Sequence, residues 1–399
     1  MYMKLVSKRL LPLCLAGAMV LGMTACGNSD SGSESPAGNS GTPAATGENT
    51  PSGGAEGASY TFGYNNFGQG AYPLDLNEST TEYALECMGM EMTVVNNQFT
   101  VDNLMTGAQN QIAQGVDGMI FWSAADTLFQ PFSELCESTQ TPFALGDKYP
   151  QSDETKAMLR ANPYFAGAIS TDDISTGSDM AQMALDAGHR TAVIIAAAVG
   201  DINHDLRIQG FTETFEAGGG EVLAVAHCAD PSEAVQKSND MLTAYPDVDC
   251  MYGSGGDYSQ GLLSALESAG LAGEMTIYGT DIDPNVIQAV RDGTIAAANG
   301  AAGPYCAGIA GALLVNYLDG HPILDENGEA PMSNGIMTVT ITAENVDDYE
   351  EYWVNNQIFS PEDYQNLLYR YNPEVTWQDY VDMIEGYTFD NMLAQRQAG

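Results

Sequence analysis

From Tyr60 onward, short runs of apolar residues alternate with stretches in which apolar positions recur every three or four residues. The runs predict buried strands and the periodic stretches predict amphipathic helices, an alternation typical of βα units. Strands are expected at 60–64, 91–95, 118–122, 142–145, 165–169, 191–197, 221–226, 250–253 and 275–278. Several are apolar throughout, as parallel strands covered on both faces must be. Helix ends are readable as well. Leu104, Ala108 and Ile112 share one face of a helix that Gly115 stops, while Asp283 can cap a helix that opens on Pro284 and ends before Gly293. The pattern specifies an α/β fold of doubly wound parallel sheets, with too many strands for one open sheet and hence two lobes. After Asn334 comes one more expected strand, 336–341. An acidic, aromatic-rich tail follows, carrying Tyr349, Trp353, Tyr364, Trp377 and Tyr380, which is expected to pack on the lobes as helices.

The opening of the chain follows a different pattern. Lys4, Lys8 and Arg9 precede an apolar run from Leu10 to Val20, and Met23-Thr24-Ala25-Cys26 follows with small residues before a cysteine. This predicts a secretory signal over 1–25, its apolar centre too short for an ordinary membrane span. Residues 27–58 are almost entirely small and polar and predict a flexible tether.

Charge then narrows the partners. Twelve basic residues face 53 acids, and three of the twelve lie in the leader, so the mature chain carries a net charge near −44. A basic footprint for nucleic acid is missing. Of seven cysteines, five lie beyond Cys26; they form no CxxC pair, and small buried thiols are expected for most of them. The four histidines are scattered, no GxGxxG or GxxxxGK[ST] spacing occurs, and no G-x-S-x-G elbow is present. Asp201-x-Asn203-x-Asp205 alternates like a calcium loop but lacks its glycine and terminal glutamate, so it is read as a turn beside a pocket. No metal and no cofactor are expected.

Several segments now carry a resemblance. Gln111-Ile112-Ala113-Gln114-Gly115-Val116-Asp117-Gly118-Met119-Ile120 with Ser123 and Asp126 resembles a segment of the type I periplasmic sugar-binding proteins, the ribose-binding group. Asn66-Phe67-Gly68-Gln69-Gly70, Leu145-Gly146-Asp147-Lys148, Arg207-Ile208-Gln209-Gly210-Phe211, Tyr245-Pro246-Asp247-Val248-Asp249, Gly279-Thr280-Asp281 and Asp292-Gly293-Thr294-Ile295 follow in the family's order over about Tyr60 to Thr342. Met23-Thr24-Ala25-Cys26 likewise resembles a bacterial lipoprotein box, with Cys26 as the lipidated first residue. The resemblance implies two lobes joined by three crossovers: lobe one at 59–147 and 303–333, lobe two at 148–302 and 334–342, and an extension over 343–399.

Recognition of vicinal hydroxyls needs carboxylates, amides and arginine forks, with aromatic faces against C–H groups, and in doubly wound folds these sit beyond strand C-termini. By resemblance and position the candidates are Asn66, Phe67, Tyr72, Asn97, Trp122, Asp126, Asp147, Arg207, Asp257 and Asp281. Gly255-Gly256-Asp257 departs from the family's Asn-Asp and leaves Asp257 as a displaced substitute. Together these imply a monomeric, non-enzymatic lipoprotein held outside the cytoplasm by its lipid anchor. It would bind a sugar-like small molecule and deliver it to an ABC permease. A ligand sensor of the same fold that signals to a membrane receptor is the alternative, and a hydrolase using Asp126 and Asp281 as paired carboxylates is a third reading.

Overall fold

A computed structural model describes residues 57–398; the leader, Cys26 and most of the tether lie outside the described residues. The chain begins with β1 (Thr61–Asn66), α1 (Tyr72–Cys87), β2 (Glu91–Asn96), α2 (Val101–Gln114), β3 (Gly118–Phe121), α3 (Phe129–Thr139), β4 (Phe143–Gly146), α4 (Asp153–Ala161) and β5 (Phe165–Thr171). It continues with α5 (Asp173–Asp186), β6 (Thr191–Ala196), α6 (Ile202–Ala217), β7 (Glu221–His227), α7 (Ala234–Ala244), β8 (Cys250–Gly253), α8 (Gly256–Ala269), β9 (Thr276–Thr280), α9 (Pro284–Arg291) and β10 (Ile295–Gly300). Then come α10 (Gly303–Leu318), β11 (Met332–Ile336) and β12 (Val339–Ile341). The extension holds α11 (Val346–Tyr349), a π-helical turn (Glu350–Val354), α12 (Pro361–Asn366), α13 (Trp377–Gly386) and α14 (Phe389–Ala398).

Two six-stranded sheets result, ordered β11-β5-β4-β3-β1-β2 and β12-β10-β9-β8-β6-β7. Both share one winding, and only the β10–β12 pairing is antiparallel. The fold is therefore the expected pair of doubly wound α/β lobes. Three details differ from the sequence reading. β5 pairs with β4 and β11 in the first sheet, so the expected division at residue 147 is corrected and the chain first leaves that sheet after Thr171. The motif at Asp147 marks the loop after β4 rather than a crossover. The alanine-rich β10, with its sequence Ile-Ala-Ala-Ala-Asn-Gly, was not among the expected strands because it lacks the large apolar side chains that marked the others. Finally, the single strand expected at 336–341 is two: β11 ends the first sheet at Ile336 and β12 edges the second, with the chain crossing at Met337 and Thr338.

Local chemistry explains the ends that were read correctly. Gly115 closes α2 at φ 87°, and Asp283 accepts the amides of Asn285 and Val286 ahead of a helix whose first residue is Pro284. The helices α5 and α6 pack backbone to backbone, because Gly177 faces the Arg207 carbonyl and Gly210 faces the Ile174 carbonyl; a Cβ at either glycine would collide. Stacked Phe121 and Phe132, with centroids 3.7 Å apart, anchor one part of the first lobe's core. Of the five described cysteines, all free, four are buried, as expected of small apolar thiols. Among the described residues no helix is long and apolar enough to cross a membrane.

The helix α10 is apolar on every face, and thirteen of its sixteen residues are buried. A helix of that kind must be covered on both sides. One side packs on β4 and β5; the other meets α1, where Gly308 lies against Ala84, and the extension, whose Tyr364 also reaches Gly308.

Candidate functional site

A cavity of about 210 Å³ opens between the C-terminal strand ends of the two sheets. Phe67, Tyr72, Trp122, Asp147, Arg207, Asp257 and Asp281, seven of the ten candidates, line it.

The first lobe supplies mostly aromatic surface. Phe67, on the loop after β1, stacks on Trp122 at 5.0 Å between centroids and meets Phe99 edge-on at 5.9 Å. The Trp122 ring also carries Lys148 Nζ, 4.3 Å from its centroid, and its Nε1 donates to Asp147 Oδ2 at 3.2 Å. Trp122 is thus neither free platform nor plain strand core: its indole ties three cavity residues together. Asp147 sits at φ 66°, left-handed, with its N–H donating to the Ile169 carbonyl. Burial pushes its carboxyl up to about 6, opposed by Lys148 and reinforced by Asp173.

That shift has a consequence for stability. A carboxyl whose folded pKa exceeds its ordinary value of 3.8 stabilises the fold fully below 3.8, and this stabilisation is lost as pH rises through about 6. Asp147→Asn, which keeps a side chain tolerant of left-handed backbone, is therefore expected to be more stable than the wild type at pH 8 by about 1–3 kcal/mol. The advantage should shrink as pH falls from 7 to 4. Urea unfolding across that range checks it, and a difference that does not vary with pH would refute it.

The second lobe supplies most of the charge. Arg207 Nε donates to Asp173 Oδ1 at 2.6 Å and its Nη1 to the Ser254 carbonyl at 3.0 Å, with Asp281 Oδ1 at 3.9 Å. Burial opposes its charge, but Asp173 and Asp281 outweigh this and hold the guanidinium protonated. The glycine contact between α5 and α6 is what lets Arg207 reach Asp173 at the head of α5. Asp281, like Asp147, is left-handed at φ 66° just past its strand, and its N–H donates to the Asn299 carbonyl. The two carboxylates occupy matching positions after the fourth strand, in chain order, of each lobe. Left-handed backbone at a non-glycine residue costs on the order of 1 kcal/mol and is commonly retained at functional sites.

Three candidates, Asn66, Asn97 and Asp126, are not among the residues that line the cavity. Asp126 starts a 3-10 turn and accepts the Gln151 amide at 3.1 Å, and unlike Asp281 it does not line the cavity. Asn66 donates to Glu78 Oε2 at 2.6 Å and accepts from Gly68 N–H at 3.1 Å, which shapes the Phe67 loop. Asn97 donates to the Asn66 carbonyl at 2.8 Å. The Asn66 amide is used on loop geometry, whereas Asn97 keeps a buried Oδ1 without a partner. Cys26 lies outside the described residues.

His204 went unrecognised. Its Nδ1 pairs with Ser254 Oγ at 2.8 Å, and burial lowers its pKa against the opposing charge of Asp201. The space it occupies is opened by Gly255, where any Cβ would meet its ring. The missing amide at 255–256 thus reflects a ring arriving from α6, three residues before Arg207 on the same face, the spacing that could have revealed it. The Asp201–Asp205 turn proves to be cavity wall: Asp201 caps α6, and both it and Asn203 line the space.

Four lining carboxylates, Asp147, Asp201, Asp257 and Asp281, thus face two cations, Lys148 and Arg207, the latter already matched by Asp173. Such a surface accepts hydrogen bonds from hydroxyls and disfavours anions, beside aromatic rings suited to C–H faces.

A family model described as a periplasmic binding protein domain matches residues 64–322. No curated protein sequence matches the chain. Among solved structures, a galactofuranose binding protein superposes with a TM-score of 0.65 at 17% identity, covering 74% of this chain and 99% of that one. An ABC transporter periplasmic solute binding protein from Actinobacillus succinogenes 130z with bound D-allose gives 0.64 at 18%, covering 73% and 100%. An ABC transporter solute binding protein from Bacillus halodurans C-125 with bound myo-inositol gives 0.62 at 17%, covering 73% and 97%.

Proposed function

The chain belongs to the periplasmic binding protein domain family, and from that premise we propose that it captures an uncharged, carbohydrate-like solute between its two lobes and delivers it to an ABC importer. The observation that carries this reading is the division of labour across the cavity. Aromatic faces, mostly from the first lobe, oppose a buried guanidinium and three of the four lining carboxylates from the second, so a solute presenting both C–H faces and hydroxyls satisfies both walls. Phe67, Tyr72 and Trp122 would meet the ring faces; Asp147, Arg207, Asp257 and Asp281 would meet the hydroxyls. The bound ligands of the solved relatives, D-allose and myo-inositol, are of this chemical type. The protein would work as a monomer, lipidated at Cys26 and tethered outside the cytoplasm by residues 27–58.

Isothermal titration of the full chain with D-galactose, D-allose, L-arabinose and myo-inositol, and with D-galacturonate as an anionic counterpart, tests the reading. Micromolar or tighter binding of at least one neutral compound is expected, with the uronate at least tenfold weaker and every ligand recovered unchanged. Silence from all the neutral compounds, or preference for the uronate, would overturn it.

A further inference from the structure

Residues 343–399 lie beyond the segment that the family model matches, yet one of them reaches the cavity. Tyr349, the last residue of α11, is only 1% exposed and lines the cavity. Among the described residues its hydroxyl has no hydrogen-bond partner, and burial pushes its pKa up, reinforced by Tyr305, Tyr72 and Asp281.

Its position is held from several sides. Asp347 and Glu350, which bracket it in sequence, accept from Arg291 of α9 at 2.9 and 2.5 Å. Its ring stacks on Trp353 at 5.7 Å, and Trp353 stacks on Phe389 at 4.8 Å. Trp353 Nε1 donates to the Tyr387 hydroxyl at 3.0 Å, which donates in turn to the carbonyl of Ala301, a cavity-lining residue in the passage from β10 to α10. Farther along, Asn316 of α10 donates to the Leu367 carbonyl and the Tyr380 hydroxyl. The extension is therefore fastened to both lobes and to one chain passage between them, with Tyr349 projecting at the point where all three meet.

We propose that Tyr349 is a ligand-contacting residue that sets the size of the accepted solute, so that the extension completes the binding site. This rests on the reading of the cavity as the solute site. The phenol ring closes one end of the cavity against a sugar's C–H face, and its unpartnered hydroxyl donates to a ligand oxygen. A buried hydroxyl with no protein partner and an open space before it is placed for such a bond.

Titration of full-length Tyr349→Phe and Tyr349→Ala against the four neutral compounds and lactose, with Asp281→Asn as an independent cavity variant, tests the proposal. For the tightest of the four neutral compounds, Tyr349→Phe is expected to weaken binding three- to tenfold and Tyr349→Ala more than tenfold. The alanine variant should gain lactose binding relative to the wild type. Should it fail to fold, the phenylalanine variant, which keeps every packing contact, still decides the role of the hydroxyl. Unchanged dissociation constants in both Tyr349 variants, alongside loss of binding in Asp281→Asn, would overturn the role of Tyr349 while leaving the cavity reading intact. Unchanged binding in all three variants would overturn both.

Discussion

Arg207→Ala is expected to abolish solute binding and to destabilise the fold by about 3–5 kcal/mol, because it strands a buried carboxylate. Arg207 is 8% exposed and Asp173 only 3%, so water reaches neither freely. In the intact protein the guanidinium serves Asp173, the Ser254 carbonyl and, more distantly, Asp281. Its removal leaves the buried Asp173 charge without a cation, held only by the Thr171 hydroxyl at 2.9 Å, and takes from Asp281 its distant countercharge. Urea unfolding and isothermal titration separate the two effects. The double variant Arg207→Met with Asp173→Asn should recover most of the stability, since no buried charge is then left unmatched, and none of the binding. Recovery of binding in the double variant, or a single variant within 1 kcal/mol of wild type, would show that Arg207 is a surface ion-pair partner rather than a wall of the site.

Ending the chain at Thr342 preserves all twelve strands and is nonetheless expected to yield little soluble protein. The extension buries Tyr349, Trp353, Tyr364, Tyr380 and Tyr387, together with Leu367, Leu368 and Ile384, largely against α1, α10 and one another. Each such side chain contributes roughly 1.5–3 kcal/mol when removed from water. Only the part of that gain made against the lobes is at stake for the lobes themselves, but it includes the outer face of α10, where Asn316 would lose three hydrogen bonds and Asp319 its ion pair with Arg370. Total stability of a domain is typically about 5–15 kcal/mol, so the loss is comparable with the whole. Soluble yield and far-ultraviolet circular dichroism of the truncated chain measure it. A truncated protein melting within about 5 °C of the full chain would show the extension to be an independent appendage.

The lobes were legible because parallel strands buried on both faces must be apolar throughout, and the runs at β3, β6 and β8 stand out for that reason. The strand β10 escaped because alanine says little about sheet or helix, and the pair β11 and β12 merged because a crossing of two residues breaks no pattern. For the site, Asp147 and Asp281, read from their places near strand ends, and Trp122, read at the end of its strand, all line the cavity. Asp126, Asn66 and Asn97 lie outside the lining, and their short side chains are as well suited to holding a turn as to meeting a ligand. Tyr349 was hidden because it reaches the cavity from a segment whose own pattern gives no sign of it, whereas His204 was marked only by its spacing from Arg207 on α6. The sign for the extension was present elsewhere, in α10, whose lack of any polar face required a second cover.

Three tryptophans serve the whole chain, and their placement gives the molecule a built-in optical reporter. Trp122 lies in the cavity wall beneath Phe67 and Lys148, where an arriving solute alters its surroundings directly. Trp353 and Trp377 both belong to the extension, the first stacked between Tyr349 and Phe389 and the second against Tyr380. Intrinsic emission from the unlabelled protein is thus a composite of one signal from the cavity and two from the segment that straps the lobes together.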